Sequence, residues 1–305
     1  MMTASIARNA PAGAETSSAR AGEVVYFDGR YVLKSQVMVS PDDRGFLLGD
    51  GIYEVAAAYD GRFVALDRHM ERLRRSLGES RIDDSVADPL ESVFTGLLER
   101  NGFGSDSGRA MVYLQVTRGV APRTHAFPKI PVRPTVYAYA APFPNMGDLA
   151  AGISAITLPD LRWSRCDIKS ISLMANCMAN QKAKESGSFE AILIRAGTVL
   201  EGSHTSIFGV IGGEVRTAPL SNLILPGITR EIVVELCRAN DIPLREAAMS
   251  EDELRRTDEL FLTGTTTEVV PIIALDGNPV GDGKPGAVAA RIEELYGAEI
   301  RFAAS

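Results

Sequence analysis

The sequence predicts an α+β protein of two domains, a small N-terminal α/β unit followed by a larger unit built round a barrel-like sheet. Three observations carry that expectation. Short β segments bounded by Gly and Asp turns recur in both halves, helical apolar stripes are inserted among them without a strict strand-helix alternation, and Phe143-Pro144-Asn145-Met146-Gly147-Asp148 has linker composition. The expected divisions are a tail at 1–22, a small domain at 23–142, a linker at 143–148 and a larger domain at 149–305.

Residues 1–22 are rich in Ala, Ser and Thr and lack the apolar core of a secretion signal, so they read as a disordered tail; Pro11 and Glu15 interrupt any transit-peptide helix. The aromatic run Glu23-Val24-Val25-Tyr26-Phe27 reads as a strand that turns at Asp28-Gly29 into Arg30-Tyr31-Val32-Leu33, a β-hairpin. A second strand pair, 53–59 and 63–66, turns at Asp60-Gly61. Asp67 is expected to cap the next helix, whose stripe Leu66, Met70, Leu73 and Leu77 keeps the helical period. A helix near 89–100 and strands at 110–118 and 134–141 complete the small unit. Beyond the linker, strands are expected at 152–158, 189–195, 205–211, 215–218, 259–263 and 270–275, with turns at Gly212-Gly213 and Asp276-Gly277. Two helices interrupt them, one over 173–185 stopped by Gly187, the other starting at Ile228 with Ile232, Val233, Leu236 and Cys237 on one face.

With 305 residues, 45% of them hydrophobic, the chain can bury one large core or two smaller ones. A net charge of -7 argues against a nucleic-acid partner. No apolar run reaches the ~20 residues a membrane span needs. Three cysteines, Cys166, Cys177 and Cys237, form neither metal spacing nor an even disulfide set, which suits a reducing cytoplasm. His69, His125 and His204 are scattered, so no metal site is expected. The glycine clusters at 209–213 and 281–286 lack nucleotide-binding spacing, and there is no Walker motif.

Four segments carry chemistry. Lys169, within Arg162-Trp163-Ser164-Arg165-Cys166-Asp167-Ile168-Lys169-Ser170, offers an amine just before a helix, whereas Lys182 and Lys184 fall in a charged helical run with Glu185. Glu201 ends a strand at Leu200-Glu201-Gly202-Ser203. Leu225-Pro226-Gly227-Ile228-Thr229 opens a helix whose first N–H groups, with the Thr229 hydroxyl, form either a simple cap or an anion cradle. Thr263-Gly264-Thr265-Thr266-Thr267 puts hydroxyls at a strand end, and Arg72, with His69 one turn earlier, could add a cationic fork. An amine, a carboxylate and two phosphate cradles are what an enzyme needs to hold pyridoxal phosphate: lysine as Schiff-base partner, carboxylate keeping the ring nitrogen protonated.

With those residues in place, nearly everything after the tail resembles the fold-type IV (class IV) pyridoxal phosphate aminotransferases, most of all the bacterial D-amino-acid aminotransferase group. The matching pieces are residues 44–54 (Arg-Gly-Phe-Leu-Leu-Gly-Asp-Gly-Ile-Tyr-Glu), the run ending at Lys169, the Glu201 turn, Gly227-Ile228-Thr229-Arg230 and the loop from Thr263 to Glu268. Narrower is Arg118-Gly119-Val120-Ala121-Pro122-Arg123-Thr124-His125, whose Arg-x-His ending resembles the loop that binds a substrate carboxylate in that group. The resemblance implies Lys169 as Schiff-base lysine and proton shuttle, Glu201 at the ring nitrogen, Arg72, Ile228, Thr229 and Thr265 on the phosphate, and Leu225 against the ring. It also implies a homodimer in which Arg123 and His125 reach across the interface and, with Tyr53, hold the α-carboxylate. The implied reaction is ping-pong transamination of D-amino acids with a 2-oxo acid, 2-oxoglutarate or pyruvate. The chain departs from the family at His204-Thr205-Ser206, where small hydroxyl residues and then Asn are usual. Rivals on the same scaffold are branched-chain L-amino-acid transamination, (R)-amine transamination and aminodeoxychorismate lyase activity; outside it, a catalytically silent dimer keeps the fold without turnover.

Overall fold

The computed structural model describes residues 23–143 and 149–303; the expected tail at 1–22 and most of the expected linker lie outside the described residues. The first sheet begins with the anticipated hairpin, β1 (Val24–Phe27) and β2 (Arg30–Leu33), turned through positive φ at Asp28 and Gly29. A five-residue helix, α1 (Arg44–Leu48), precedes β3 (Gly51–Tyr59) and the short β4 (Arg62–Phe63). Helices α2 (Leu66–Glu79) and α3 (Leu90–Arg100) follow, then β5 (Arg109–Thr117) and β6 (Thr135–Pro142). The six strands are ordered β2-β1-β6-β5-β3-β4.

Alternation along β3, β5 and β6 puts Ala56, Val112, Leu114 and Ala138 on the face covered by α2 and α3. Met70, Leu73 and Leu77 of the α2 stripe are buried there with Phe94 and Leu97 of α3. Each such side chain contributes about 1.5–3 kcal/mol relative to exposure. Two local expectations need correction. The strand expected at 63–66 stops at Phe63, and Asp67 is not the cap: Ala65, in a left-handed conformation (φ 49°), starts α2 early, which leaves Asp67 inside the first turn where its charge still favours the helix dipole.

The second sheet comprises β7 (Ile153–Pro159), β8 (Glu190–Arg195), β9 (Thr198–Gly202), β10 (Ser206–Ile211), β11 (Glu214–Thr217), β12 (Leu244–Glu246), β13 (Glu259–Gly264), β14 (Glu268–Leu275) and β15 (Asn278–Pro279). Helix α4 (Met174–Glu185) lies between β7 and β8, α5 (Ile228–Ala239) between β11 and β12, α6 (Glu251–Leu254) before β13, and α7 (Ala287–Ala303) ends the described chain. The main path is β12-β11-β10-β13-β14-β7-β8-β9. β9 is an edge strand, yet three residues later the chain enters β10, five places away in that order. The Gly202 N–H donates to the Thr205 carbonyl across the turn at 2.7 Å. Only a sheet curled into a half-barrel reconciles those facts, in agreement with the barrel-like expectation.

β7 and β8 pair in parallel, so they need a crossover rather than a hairpin; residues 160–189 supply it and include both Lys169 and α4. Among the described residues no helix is long and apolar enough to cross a membrane, and no group of metal-binding side chains occurs.

Candidate active site

Lys169 is held through its backbone. The Tyr53 N–H donates to the Lys169 carbonyl (2.9 Å) and the Ile171 N–H to the Gly51 carbonyl (3.1 Å), so the crossover forms a bridge with the start of β3. From α2, Arg75 donates to the Asp167 carbonyl (2.8 Å) and carboxylate (2.6 Å), while the Cys166 N–H donates to the Asn222 carbonyl (2.8 Å). The Lys169 Nζ lies 4.3 Å from the centre of the Tyr53 ring, and among the described residues it has no carboxylate partner. That leaves a positioned amine uncommitted to an ion pair.

Glu201, on β9, faces the same cavity and is only 6% exposed. Arg162 donates from Nη1 to its Oε1, and the Leu225 N–H to its Oε2 at 3.0 Å. Arg162 is shared with Asp160, whose side chain is covered and to which its Nε donates at 2.9 Å. Burial outweighs Arg162 and the Leu225 N–H, with Asp160 adding repulsion, and pushes the Glu201 carboxyl up to about 7. Arg162 alone thus does not offset burial at this carboxylate, and a protonated ring nitrogen would add positive charge beside it.

At another wall the α5 N-terminus starts at Gly227 with no side-chain cap. A Cβ on Gly227 would come within 2.8 Å of Ser206 Oγ, so a larger residue there would push that hydroxyl aside. Ile228, Thr229 and Thr265 line the cavity here, and the buried Thr263 Oγ1 beside them has no hydrogen-bond partner among the described residues. Arg72 reaches in from α2: Nη1 donates to the Pro226 carbonyl (2.8 Å), Nε and Nη2 to the Glu54 carboxylate (3.0 and 2.5 Å). His69 Nδ1 is 3.0 Å from the same carboxylate. Burial works to raise the Glu54 carboxyl, but Arg72 and then His69 outweigh it and hold the group far below the usual carboxylate range. Uncapped N–H groups, an unpartnered hydroxyl and a locked guanidinium make this end fit a phosphate.

The structure thus brings Tyr53, Arg72, Lys169, Glu201, Leu225, Ile228, Thr229 and Thr265 to one cavity. It does not bring Arg123 or His125 there: both are exposed on a loop outside their own chain's cavity. His204 stands on the cavity wall, half-exposed, its Nδ1 3.0 Å from the Glu190 carboxylate. Glu190 is fully buried and also accepts from Ser203 Oγ (2.5 Å), Thr205 Oγ1 (2.8 Å) and the Ala191 N–H (2.8 Å). Burial would raise its carboxyl, yet these donors, His204 foremost, hold it at about 2. The departure at 204 is thereby built into the turn that follows Glu201.

Residues 51–275 match the model of the amino-transferase class IV family. This chain belongs to the class IV aminotransferases. It is 38% identical over 274 residues to a D-alanine aminotransferase of Staphylococcus haemolyticus, covering 89% of this chain and 96% of that one. A D-alanine aminotransferase of Bacillus licheniformis is 42% identical over 271 residues, covering 88% and 94%. Among solved structures, a branched-chain amino acid aminotransferase of Escherichia coli superposes with a TM-score of 0.83 at 24% identity, covering 91% and 94%, which bears on the fold alone. A branched-chain aminotransferase of Thermoproteus uzoniensis gives a TM-score of 0.79 at 28% identity, with the same coverages.

Class IV aminotransferases depend on pyridoxal phosphate, and the cavity fits it: an amine at Lys169, an undercompensated buried carboxylate at Glu201 and an anion cradle at α5. Arg162, Glu54 and Glu190 were not anticipated as contributors. Glu54 did end one run that carries the family resemblance and Arg162 stands immediately before another, Trp163 to Lys169, whereas nothing local marks Glu190 among the strand glutamates. One consequence concerns Arg72, whose fork spans Glu54 and Pro226. Arg72→Lys is expected to weaken pyridoxal phosphate retention about tenfold, since an ammonium cannot hold both and still face the phosphate. Absorbance titration of the apoprotein measures it; an unchanged affinity removes Arg72 from the cradle.

Proposed function

We propose that this enzyme moves the amino group of a D-amino acid to a 2-oxo acid in two half-reactions. The observation that carries the transfer chemistry is the uncommitted Lys169 amine in one cavity with the buried Glu201 carboxylate. The hand of the substrate rests on similarity to the D-alanine aminotransferases and on the Arg123-Thr124-His125 loop. Bound pyridoxal phosphate supplies the carbonyl carbon that accepts the amino group and a conjugated ring that spreads the electron pair left at Cα.

The chain's own groups do the rest. Lys169 Nζ would take the proton from the substrate Cα and carry it to the carbon that the cofactor presents beside it. Glu201 keeps negative charge at the ring nitrogen, with Arg162 fixing the carboxylate's direction. Arg72, the α5 N-terminus, Thr229 and Thr265 would hold the phosphate, and Leu225 would flank the ring. In this reading the two sheets are two domains meeting at the cavity, and a second copy of the chain brings Arg123 and His125 to the α-carboxylate near Tyr53. Phe46 on α1, and Val120 and Ile130 in the segment between β5 and β6, expose apolar side chains, which suits a homodimer face. Three cysteines without disulfides accord with a cytoplasmic enzyme.

Purified holoenzyme assayed with D-alanine, D-glutamate, L-leucine, (R)-1-phenylethylamine and aminodeoxychorismate is expected to favour the D-amino acids, with 2-oxoglutarate or pyruvate as acceptor. Faster turnover of L-leucine would overturn the assignment in favour of the branched-chain reaction.

A further inference from the structure

We infer that Asp50, Arg44 and Arg118 form a clamp that sets the position of Arg123 and His125, a proposal that rests on reading their loop as the carboxylate-binding one. Arg44, the first residue of α1, is only 2% exposed. Its Nε donates to Asp50 Oδ2 (2.7 Å) and its Nη1 to the Thr124 carbonyl (2.7 Å), with the Ala126 carbonyl at 3.5 Å. Thr124 is the residue between Arg123 and His125. A buried charge thus grips the backbone at the midpoint of the pair, while both flanking side chains stay exposed.

The same carboxylate fastens the start of the loop. Arg118 donates from Nε to Asp50 Oδ2 (2.8 Å) and from Nη2 to Oδ1 (2.9 Å), and its Nη1 and Nη2 reach the Arg81 and Ser80 carbonyls at 2.8 and 2.7 Å. Its guanidinium carbon sits 3.7 Å from the Phe127 ring centre, which closes the far end of the loop onto its beginning. Gly119, at φ 103°, lies so close to the Arg133 carbonyl that a Cβ would come within 2.0 Å, so the chain leaves β5 in one direction only. Two arginines on one carboxylate hold the loop at residues 118, 124 and 127, and none of the three clamp residues lines the cavity.

Preorganising a binding loop lowers the ordering cost of each binding event, so losing the clamp acts on carboxylate affinity before it acts on chemistry. Holoenzyme variants Arg44→Met, Phe127→Ala and Arg123→Ala are compared with the unaltered enzyme, using its fastest amino acid and propionate as a competing carboxylate without an amine. Arg44→Met is expected to raise KM and the propionate inhibition constant about tenfold each, with kcat and pyridoxal phosphate affinity within about twofold. Phe127→Ala is expected to show the same pattern at about threefold, and its half-exposed position keeps it folded should Arg44→Met fail to fold. If Arg123→Ala raises both constants while Phe127→Ala and folded Arg44→Met leave them unchanged, the clamp is overturned and the loop assignment stands. If Arg123→Ala leaves both constants unchanged, the loop assignment fails and the clamp with it. Parallel losses of kcat and pyridoxal phosphate affinity in Arg44→Met and Phe127→Ala would mark a general structural role and overturn the clamp as well.

Discussion

Lys169→Ala is expected to lower turnover at least about 1,000-fold, because it removes the covalent attachment and the proton carrier in one step. Stability is expected to change little. The Lys169 side chain is half-buried, has no carboxylate partner among the described residues, and the bridge to β3 runs through backbone groups of Lys169 and Ile171 that alanine keeps. Steady-state turnover and melting temperature read the two effects apart. Borohydride reduction of the yellow holoenzyme followed by peptide mapping is expected to place the label on residue 169. A label on Lys182 or Lys184 would discard the assignment; both lie exposed on α4, one 3.9 Å from Glu185 and the other over the Phe189 ring.

Glu201→Gln is expected to cost about 100-fold in turnover while leaving the Lys169 label in place, since the amide keeps the shape and loses the charge opposite the ring nitrogen. The same carboxyl makes a second, independent signature in the apoprotein. Its proton is held to about pH 7 in the folded chain against an ordinary 4.5, so between those values the folded state binds more protons than the unfolded state. Stability from this group is therefore full at low pH and falls as pH rises through the window, by up to about 3 kcal/mol. Denaturant melts of apoprotein at pH 5 and pH 8 measure the drop, and Glu201→Gln is expected to lose that share of it. Equal pH dependence in both proteins would mean that Glu201 ionises normally inside the fold.

Much of this was readable from local signals. Asp-Gly and Gly-Gly turns fixed the hairpins, 3.6-residue stripes fixed α2 and α5, and the Gly187 stop marked the end of α4, because each depends on neighbours within a few residues. The four chemical segments were each visible as short runs, and the fold brings them to one cavity. Most of what escaped carries no apolar period of its own. Helix α1 is five residues long and exists because Asp43 accepts from the Gly45 N–H and Gly49 adopts a left-handed stop, features that no apolar period announces. β12 is three residues paired in parallel with β11, and its existence depends on that partner. Helix α7 did carry a stripe, Ala289, Ile292, Tyr296 and Ile300, that went unread although its spacing is helical. Glu54 and Glu190 look like ordinary strand residues until folding buries each among converging donors.

The passage from β9 to β10 in three residues gives the curled sheet the character of a hoop. Glu201, the Thr263–Thr265 hydroxyls and, through the β7–β8 crossover, Lys169 all hang on its circumference. Slack introduced anywhere round that ring, for example at the irregular pairing of Ile272 and Ala274 with β7, is shared at once by every grip on the prosthetic group that this sheet carries. Fading of the yellow colour on warming would then report the opening of the whole girdle, with no single contact as its weakest point.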